Sequence, residues 1–279
     1  MQMIAILGAS GFVGSALAQR LETTGERIVR LNRPGFDLTR PETLNRIPVD
    51  SEVIIHVAGS LGSAPDDREL WQTNVESMYY FTQYLNSCCR PRLVVYLSSG
   101  AVYGFRRERL TLSSPPRPGS LYGVSKFLGE QLIEAMLLAP WVTLRLFFPF
   151  GPGQRLLRLI PRLTRRILTN EPIELNTEQG SPIINPIFIT DLVDQIISIM
   201  QNPEQRYYNL GGTVYLSIRG IAETIGDIVS REPQFIIGDR DVGNLMCEPD
   251  VSYVSPLTFE QQMQIAVRDI VGSLIVETS

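Results

Sequence analysis

Lysine, histidine and cysteine are nearly absent from this chain of 279 residues. Of its 25 basic side chains only Lys126 is a lysine, and His56 is the single histidine. One histidine excludes a histidine-based metal centre and leaves hardly any room for a Ser-His-Asp triad away from residue 56. Of the three cysteines, Cys88 and Cys89 are adjacent and Cys247 is distant. That spacing provides neither a disulfide framework nor a metal-ligand set, so reduced packing residues and no bound metal are expected. No apolar run approaches the roughly 20 residues of a membrane helix. The start lacks a basic region followed by a small-residue cleavage site, so the expected location is cytoplasmic, with no membrane partner. A formal charge of -4 and a pI near 5.2 give no basic footprint, and the arginine pairs 106–107 and 165–166 are short and isolated. Nucleic acid is therefore not an expected partner.

What the chain does have is apolar patterning sufficient for a large core, with 44% hydrophobic and 19% charged residues. Apolar runs at Met3–Leu7, Arg27–Leu31, Val53–Val57, Leu93–Leu97 and Val142–Phe147 alternate with helical patterns up to Thr24 and at Pro41–Ile47, Asp66–Cys88 and Tyr122–Leu138. This alternation predicts an α/β fold with a doubly wound, Rossmann-like parallel sheet over residues 1–150. Beyond Gly151 the rhythm loosens. Helices are expected at Arg155–Leu168, Asp191–Met200, Ser217–Val229 and Thr258–Leu274, and short strands near Pro172–Leu175, Ile184–Ile189 and Tyr207–Leu210. Residues 151–279 are thus expected to form a smaller substrate lobe, partly interleaved, with segments near 185–210 returning to the main domain.

The first strand runs into Gly8-Ala9-Ser10-Gly11-Phe12-Val13-Gly14 where a helix begins. In that context Gly8 permits a tight turn, Gly11 lets backbone N–H groups approach a pyrophosphate, and Gly14 allows close helix–strand packing. A dinucleotide is the expected ligand, contacted also by Ser10, Phe12 and Val13. After the second strand an acidic residue would bind a ribose 2′-hydroxyl and repel a 2′-phosphate, but Asn32-Arg33 stands there. A guanidinium in place of a carboxylate favours NADP over NAD.

Tyr122-Gly123-Val124-Ser125-Lys126 places Tyr122 and Lys126 four apart, on one helix face. A phenol with a pKa near ~10 is a poor base at neutral pH, and a neighbouring ammonium stabilises its phenolate. The pair forms a usable acid/base, in a chain that otherwise chooses arginine.

The G-x-x-G-x-x-G turn and this Tyr/Lys pair, over nearly the whole chain, resemble the extended short-chain dehydrogenase/reductase family of NAD-dependent epimerases and dehydratases. The resemblance implies that Asp37-Leu38 contacts adenine, that His56-Val57-Ala58-Gly59 forms the cofactor-side turn, and that Asn74 is the helix-four asparagine. It implies that Lys126 also holds the nicotinamide ribose. In Leu97-Ser98-Ser99-Gly100-Ala101-Val102-Tyr103-Gly104 it selects Ser99 as the residue orienting the reacting oxygen, with Ser98 as alternative, and places Gly100 and Tyr103 beside the substrate. Family dehydratases carry Asp-Glu where this chain has Gly100-Ala101, which speaks against dehydration. Phe148 stands where the family has a substrate-contacting Asn near the cofactor, and Ile184 where many epimerases set an Arg against the diphosphate. Arg106, Arg107, Arg155, Arg158 and Arg240 are possible replacements.

The resulting expectation is a nucleotide-sugar epimerase or 4-keto-sugar reductase, probed against two alternatives: a reductase of a non-nucleotide ketone or aldehyde, and a dinucleotide-binding scaffold without catalysis. The resemblance also implies a homodimer through the helices Asp66–Cys88 and Tyr122–Leu138, with Trp71, Met78, Leu128 and Met136 as outward residues.

Overall fold

The computed structural model describes residues 2–61 and 68–277. Two compact units emerge from the chain: residues 1–104, 112–146 and 193–209 form the first, and residues 105–111, 147–192 and 210–279 the second.

The first unit is built on the strands β1 (Met3–Leu7), β2 (Arg27–Leu31), β3 (Val53–His56), β4 (Leu93–Ser99) and β5 (Trp141–Leu146). Parallel ladders join β1 to β2 and β3, β3 to β4, and β4 to β5. The full order is β10-β5-β4-β3-β1-β2, where β10 is Tyr207–Leu210. Every residue of β1 and β3 is buried, as expected of central strands covered on both faces. Successive strands are added outward from β1 in one direction to β2 and in the other from β3 to β10. The order therefore reverses between β1 and β3, the topological switch point where doubly wound sheets bind ligands.

Helix α1 (Phe12–Glu22) buries Gly14, Leu17, Ala18 and Leu21, one stripe at helical spacing. Pro41–Arg46 is a 3-10 helix rather than an α-helix. The next helix begins at α2 (Arg68–Trp71), passes through a single π turn (Gln72–Glu76) and continues as α3 (Ser77–Cys88). Its expected start at Asp66 lies outside the described residues. Helix α4 (Leu121–Met136) is capped by Ser120, whose hydroxyl accepts from the Gly123 N–H.

The second unit contains the short strands β6 (Pro149–Phe150), β7 (Ile173–Leu175), β8 (Ile183–Ile184), β9 (Ile187–Phe188), β11 (Leu216–Ser217) and β12 (Phe235–Ile237), paired two by two. Its helices are α5 (Leu159–Leu168), α7 (Ile218–Val229) and α8 (Phe259–Glu277), while α6 (Ile189–Gln201) passes into the first unit from residue 193 on. Ile160, Leu163, Ile167, Ile221, Ile225, Met263 and Ile270 build its core. The single strand expected over Ile184–Ile189 is divided, because Pro186 has no N–H to give to a ladder.

Candidate active site

The glycine-rich turn has the shape its sequence requires. Gly8 has φ +87°, and a Cβ there would lie 2.8 Å from the Ala58 backbone. A Cβ on Gly14 would lie 2.3 Å from the Gly8 carbonyl oxygen. Among the described residues no side chain caps α1, and no acidic residue stands in its first turn, so the helix N-terminus offers positive potential and N–H groups to an anion. These features fit the pyrophosphate of a dinucleotide. Val57 and Ala58 both donate their N–H to the Leu7 carbonyl, holding the two turns of the switch point together.

The neighbouring polar residues are committed differently from expectation. Asn32 accepts from the Ser10 N–H at 2.7 Å, so it shapes the glycine turn. Arg33, more than half exposed, is already paired: its Nε is 2.9 Å from Asp37 and its Nη1 3.3 Å from Glu69. The Asp37 carboxylate also accepts from the Thr39 N–H and hydroxyl. Burial opposes its ionisation, but these bonds and the guanidinium hold its pKa below the ordinary carboxylate value. Leu38 is a buried core residue.

His56, expected in the cofactor-side turn, is buried, with neither ring nitrogen hydrogen-bonded among the described residues, and it packs edge-on against Phe81 at 5.1 Å and Tyr96 at 5.5 Å. Burial, aided by the Lys126 charge, pushes its pKa down to about 3, so it is a neutral packing residue at physiological pH.

Asn74 sits in the π turn and is buried. Both of its amide hydrogens are used, one on the Ser60 carbonyl at 2.7 Å and one on Ser125 Oγ at 3.0 Å, while its oxygen accepts from the Ser60 N–H at 2.9 Å. It therefore ties the turn beyond Gly59 to α4 beside Lys126. Gly59 itself is exposed.

Tyr122 is half-buried, one helical turn before Lys126 on α4. The Lys126 ammonium lies 4.4 Å from the Tyr96 ring centroid and is 4% exposed as a residue. Burial lowers its pKa to about 7, against the opposing pull of Glu130. Ser99 ends β4, and its Oγ accepts from the Ala101 N–H at 3.2 Å. The alternative, Ser98, is buried and donates to Glu130, which leaves Ser99 as the hydroxyl at the strand end.

Tyr103 is not at a surface. It is fully buried, its hydroxyl receives Arg145 Nη1 at 2.6 Å and donates to Asn209 at 3.0 Å, and Gly100 beside it is buried as well. Phe148 belongs to the second unit, packs on that unit's core and has φ +48°, a strained conformation for a phenylalanine. Ile184 is in the same core, and the five arginines considered above all lie in the second unit.

Sequence reasoning missed Gly123, Glu130 and Arg145. A Cβ on Gly123 would approach the Ala101 carbonyl to 2.5 Å, so that glycine sets how closely α4 meets the turn after Ser99. Glu130 was legible as the next member of the i, i+4 series from Tyr122 and Lys126. Its buried partner Arg145 was not.

A glycine turn that fits a pyrophosphate lies at the switch point of a doubly wound sheet, with Tyr122 and Lys126 on α4, an arrangement that fits a dinucleotide-dependent enzyme. Residues 4–211 match the NAD dependent epimerase/dehydratase family. The chain belongs to this family of NAD-dependent enzymes, the extended short-chain dehydrogenases/reductases. It is 25% identical to the uncharacterized UDP-glucose epimerase YtcB of Bacillus subtilis over 86% of either chain. It is 32% identical to a dTDP-4-dehydrorhamnose reductase of Burkholderia thailandensis over 64% of this chain and 60% of that protein. In fold it is similar to a UDP-glucuronic acid 4-epimerase mutant from Bacillus cereus in complex with a fluorinated UDP-glucuronic acid and NAD. That likeness has TM-score 0.85 and 19% identity over 98% of this chain and 100% of that one.

Proposed function

We propose that the protein is a nucleotide-sugar epimerase that uses NAD, working through Ser99, Tyr122 and Lys126. The observation that carries this reading is the buried lone lysine one turn from a half-buried tyrosine, beside a glycine turn shaped for a pyrophosphate. The turn of Gly8, Gly11 and Gly14 would hold NAD, which would supply reversible hydride exchange with a sugar carbon. Tyr122 takes the hydroxyl proton as that carbon becomes a ketone and gives it back on reduction. Ser99 orients the oxygen toward Tyr122, and the Lys126 ammonium stabilises the Tyr122 phenolate. An epimerase uses these groups twice, on opposite faces of the sugar carbon.

The Arg33 pairings support NAD over NADP, because its charge is already met by two carboxylates. A 4-keto-sugar reductase is the second reading, favoured by the 32% identity to the dTDP-4-dehydrorhamnose reductase. The protein is proposed to act as a homodimer.

Purified protein incubated with UDP-glucose, UDP-glucuronic acid or a dTDP-4-keto sugar with NADH tests the site. Tyr122→Phe is expected to lower kcat by about 10²- to 10⁴-fold while NADH binding persists. Full turnover in that variant would remove Tyr122 from the mechanism.

A further inference from the structure

Helix α4 carries a third ionisable group on the face of Tyr122 and Lys126. Glu130 follows Lys126 by one turn and is fully buried. Its carboxylate accepts from Arg145 at both oxygens, Nε at 3.0 Å and Nη2 at 2.7 Å, and from Ser98 Oγ at 2.5 Å. Ser98 and Arg145 are register partners on β4 and β5, so one carboxylate grips two adjacent strands at the level of Ser99. The remaining Arg145 Nη1 reaches the Tyr103 hydroxyl, at the end of the 3-10 turn that follows Ser99. The guanidinium lies 4.8 Å from the ring centroids of Tyr103 and Tyr207. Bidentate pairing and a hydroxyl donor together satisfy the carboxylate without water, the condition under which a buried ion pair persists.

Among the described residues, the groups set around Lys126 come from four elements. His56 of β3 is neutral, Tyr96 of β4 presents its ring, Asn74 of the π turn is an amide, and α4 itself supplies Tyr122 and Glu130. Burial also pushes the Tyr96 hydroxyl well above its ordinary pKa, so it stays protonated. Among these groups Glu130, ion-paired to Arg145, is the carboxylate. A buried ammonium over an aromatic face still needs a nearby counter-charge to stay protonated.

We propose that Glu130, clamped by Arg145 and Ser98, is a positioning residue that holds the end of β4 against α4 and supplies the counter-charge keeping Lys126 an ammonium. This rests on the reading of Tyr122 and Lys126 as the acid/base pair. An ion pair that merely braced the fold would leave the Lys126 protonation equilibrium where it is.

Because Lys126 is the only lysine, protein labelled with ¹³C,¹⁵N-lysine gives one side-chain signal and needs no assignment. Its chemical shift is followed by NMR from about pH 5 to about pH 10, between the ordinary histidine and lysine ranges and slightly beyond. Glu130→Gln is expected to lower the Lys126 midpoint by at least about one unit, a tenfold change in its protonation constant. Ser98→Ala, which leaves the Glu130–Arg145 pair intact, is expected to shift it by less than about a third of a unit. If Glu130→Gln does not fold, Glu130→Gln combined with Arg145→Gln removes both charges together; because Glu130 is the charge one turn from Lys126, a downward shift smaller than that of Glu130→Gln is expected. An unmoved midpoint in either folded variant overturns the proposal and leaves the assignment of Tyr122 standing. Conversely, full turnover by Tyr122→Phe would sink that assignment without touching the Lys126 titration.

Discussion

Arg33 shows how a residue's meaning depends on what else reaches it. From its position after β2 a guanidinium suggests a 2′-phosphate, yet Asp37 and Glu69 both face it. Exposed ion pairs of this kind are each worth only about 0–1 kcal/mol, but two carboxylates beside one guanidinium leave no net positive charge there to draw a 2′-phosphate. Arg33→Ala is accordingly expected to change NADPH affinity by less than about threefold. Glu69→Gln, which removes one competing anion, is expected to tighten NADPH relative to NADH by a few-fold, an effect within about 1 kcal/mol. Fluorescence titrations with the two reduced dinucleotides decide it. A tenfold loss of NADPH binding in Arg33→Ala would restore the NADP reading. Asn32, visible in the sequence only as a missing carboxylate, is spent on the Ser10 N–H, a use no linear pattern reveals.

At the scale of elements, β3 ends in a residue whose burial makes a pH-dependent demand. His56 has a folded-state pKa near 3, below its ordinary 6.5. Between those values the unfolded chain binds a proton that the folded one refuses, so stability is intact above about 6.5 and falls as pH drops toward 3. By about pH 5 the loss from this group is about 2 kcal/mol. His56→Phe, which keeps the edge-on packing with Phe81 and Tyr96, is expected to flatten that decline in urea unfolding between about pH 7.5 and about pH 5. Parallel curves for the two proteins would show that another group carries the acid sensitivity. The central strands were legible because burial on both faces writes them as unbroken apolar runs. The π turn at Asn74 was not, since one extra residue per turn leaves helical periodicity almost unchanged. The two-residue strands β6 and β11 are too short to carry any period at all.

For the whole molecule, the glycine turn, Tyr122 and Lys126 were readable because local chemistry dictates them. The Glu130–Arg145 clamp was hidden, since it joins a helix to a strand and exists only once both pack on β4. The proposed homodimer depends on outer helical surface in the same way. Met78 is fully buried in the first unit's core and has nothing to offer a partner. Trp71, Tyr79 and Tyr80, exposed by 39%, 48% and 43%, do. Sedimentation velocity at micromolar concentration is expected to show twice the 31.3 kDa chain mass, and Tyr79→Glu with Tyr80→Glu to return a monomer through desolvated charge at the contact. A wild-type protein that sediments as a monomer at all concentrations would end the dimer reading.

The lone lysine also changes what the protein shows to its surroundings. All other side-chain positive charge is arginine, which acylating reagents and lysine-directed proteases ignore. The one side-chain amine they could attack lies buried in the middle of α4. Acylation or cleavage at residue 126 therefore becomes a clock for the opening of this site alone, silent at every other surface of the molecule.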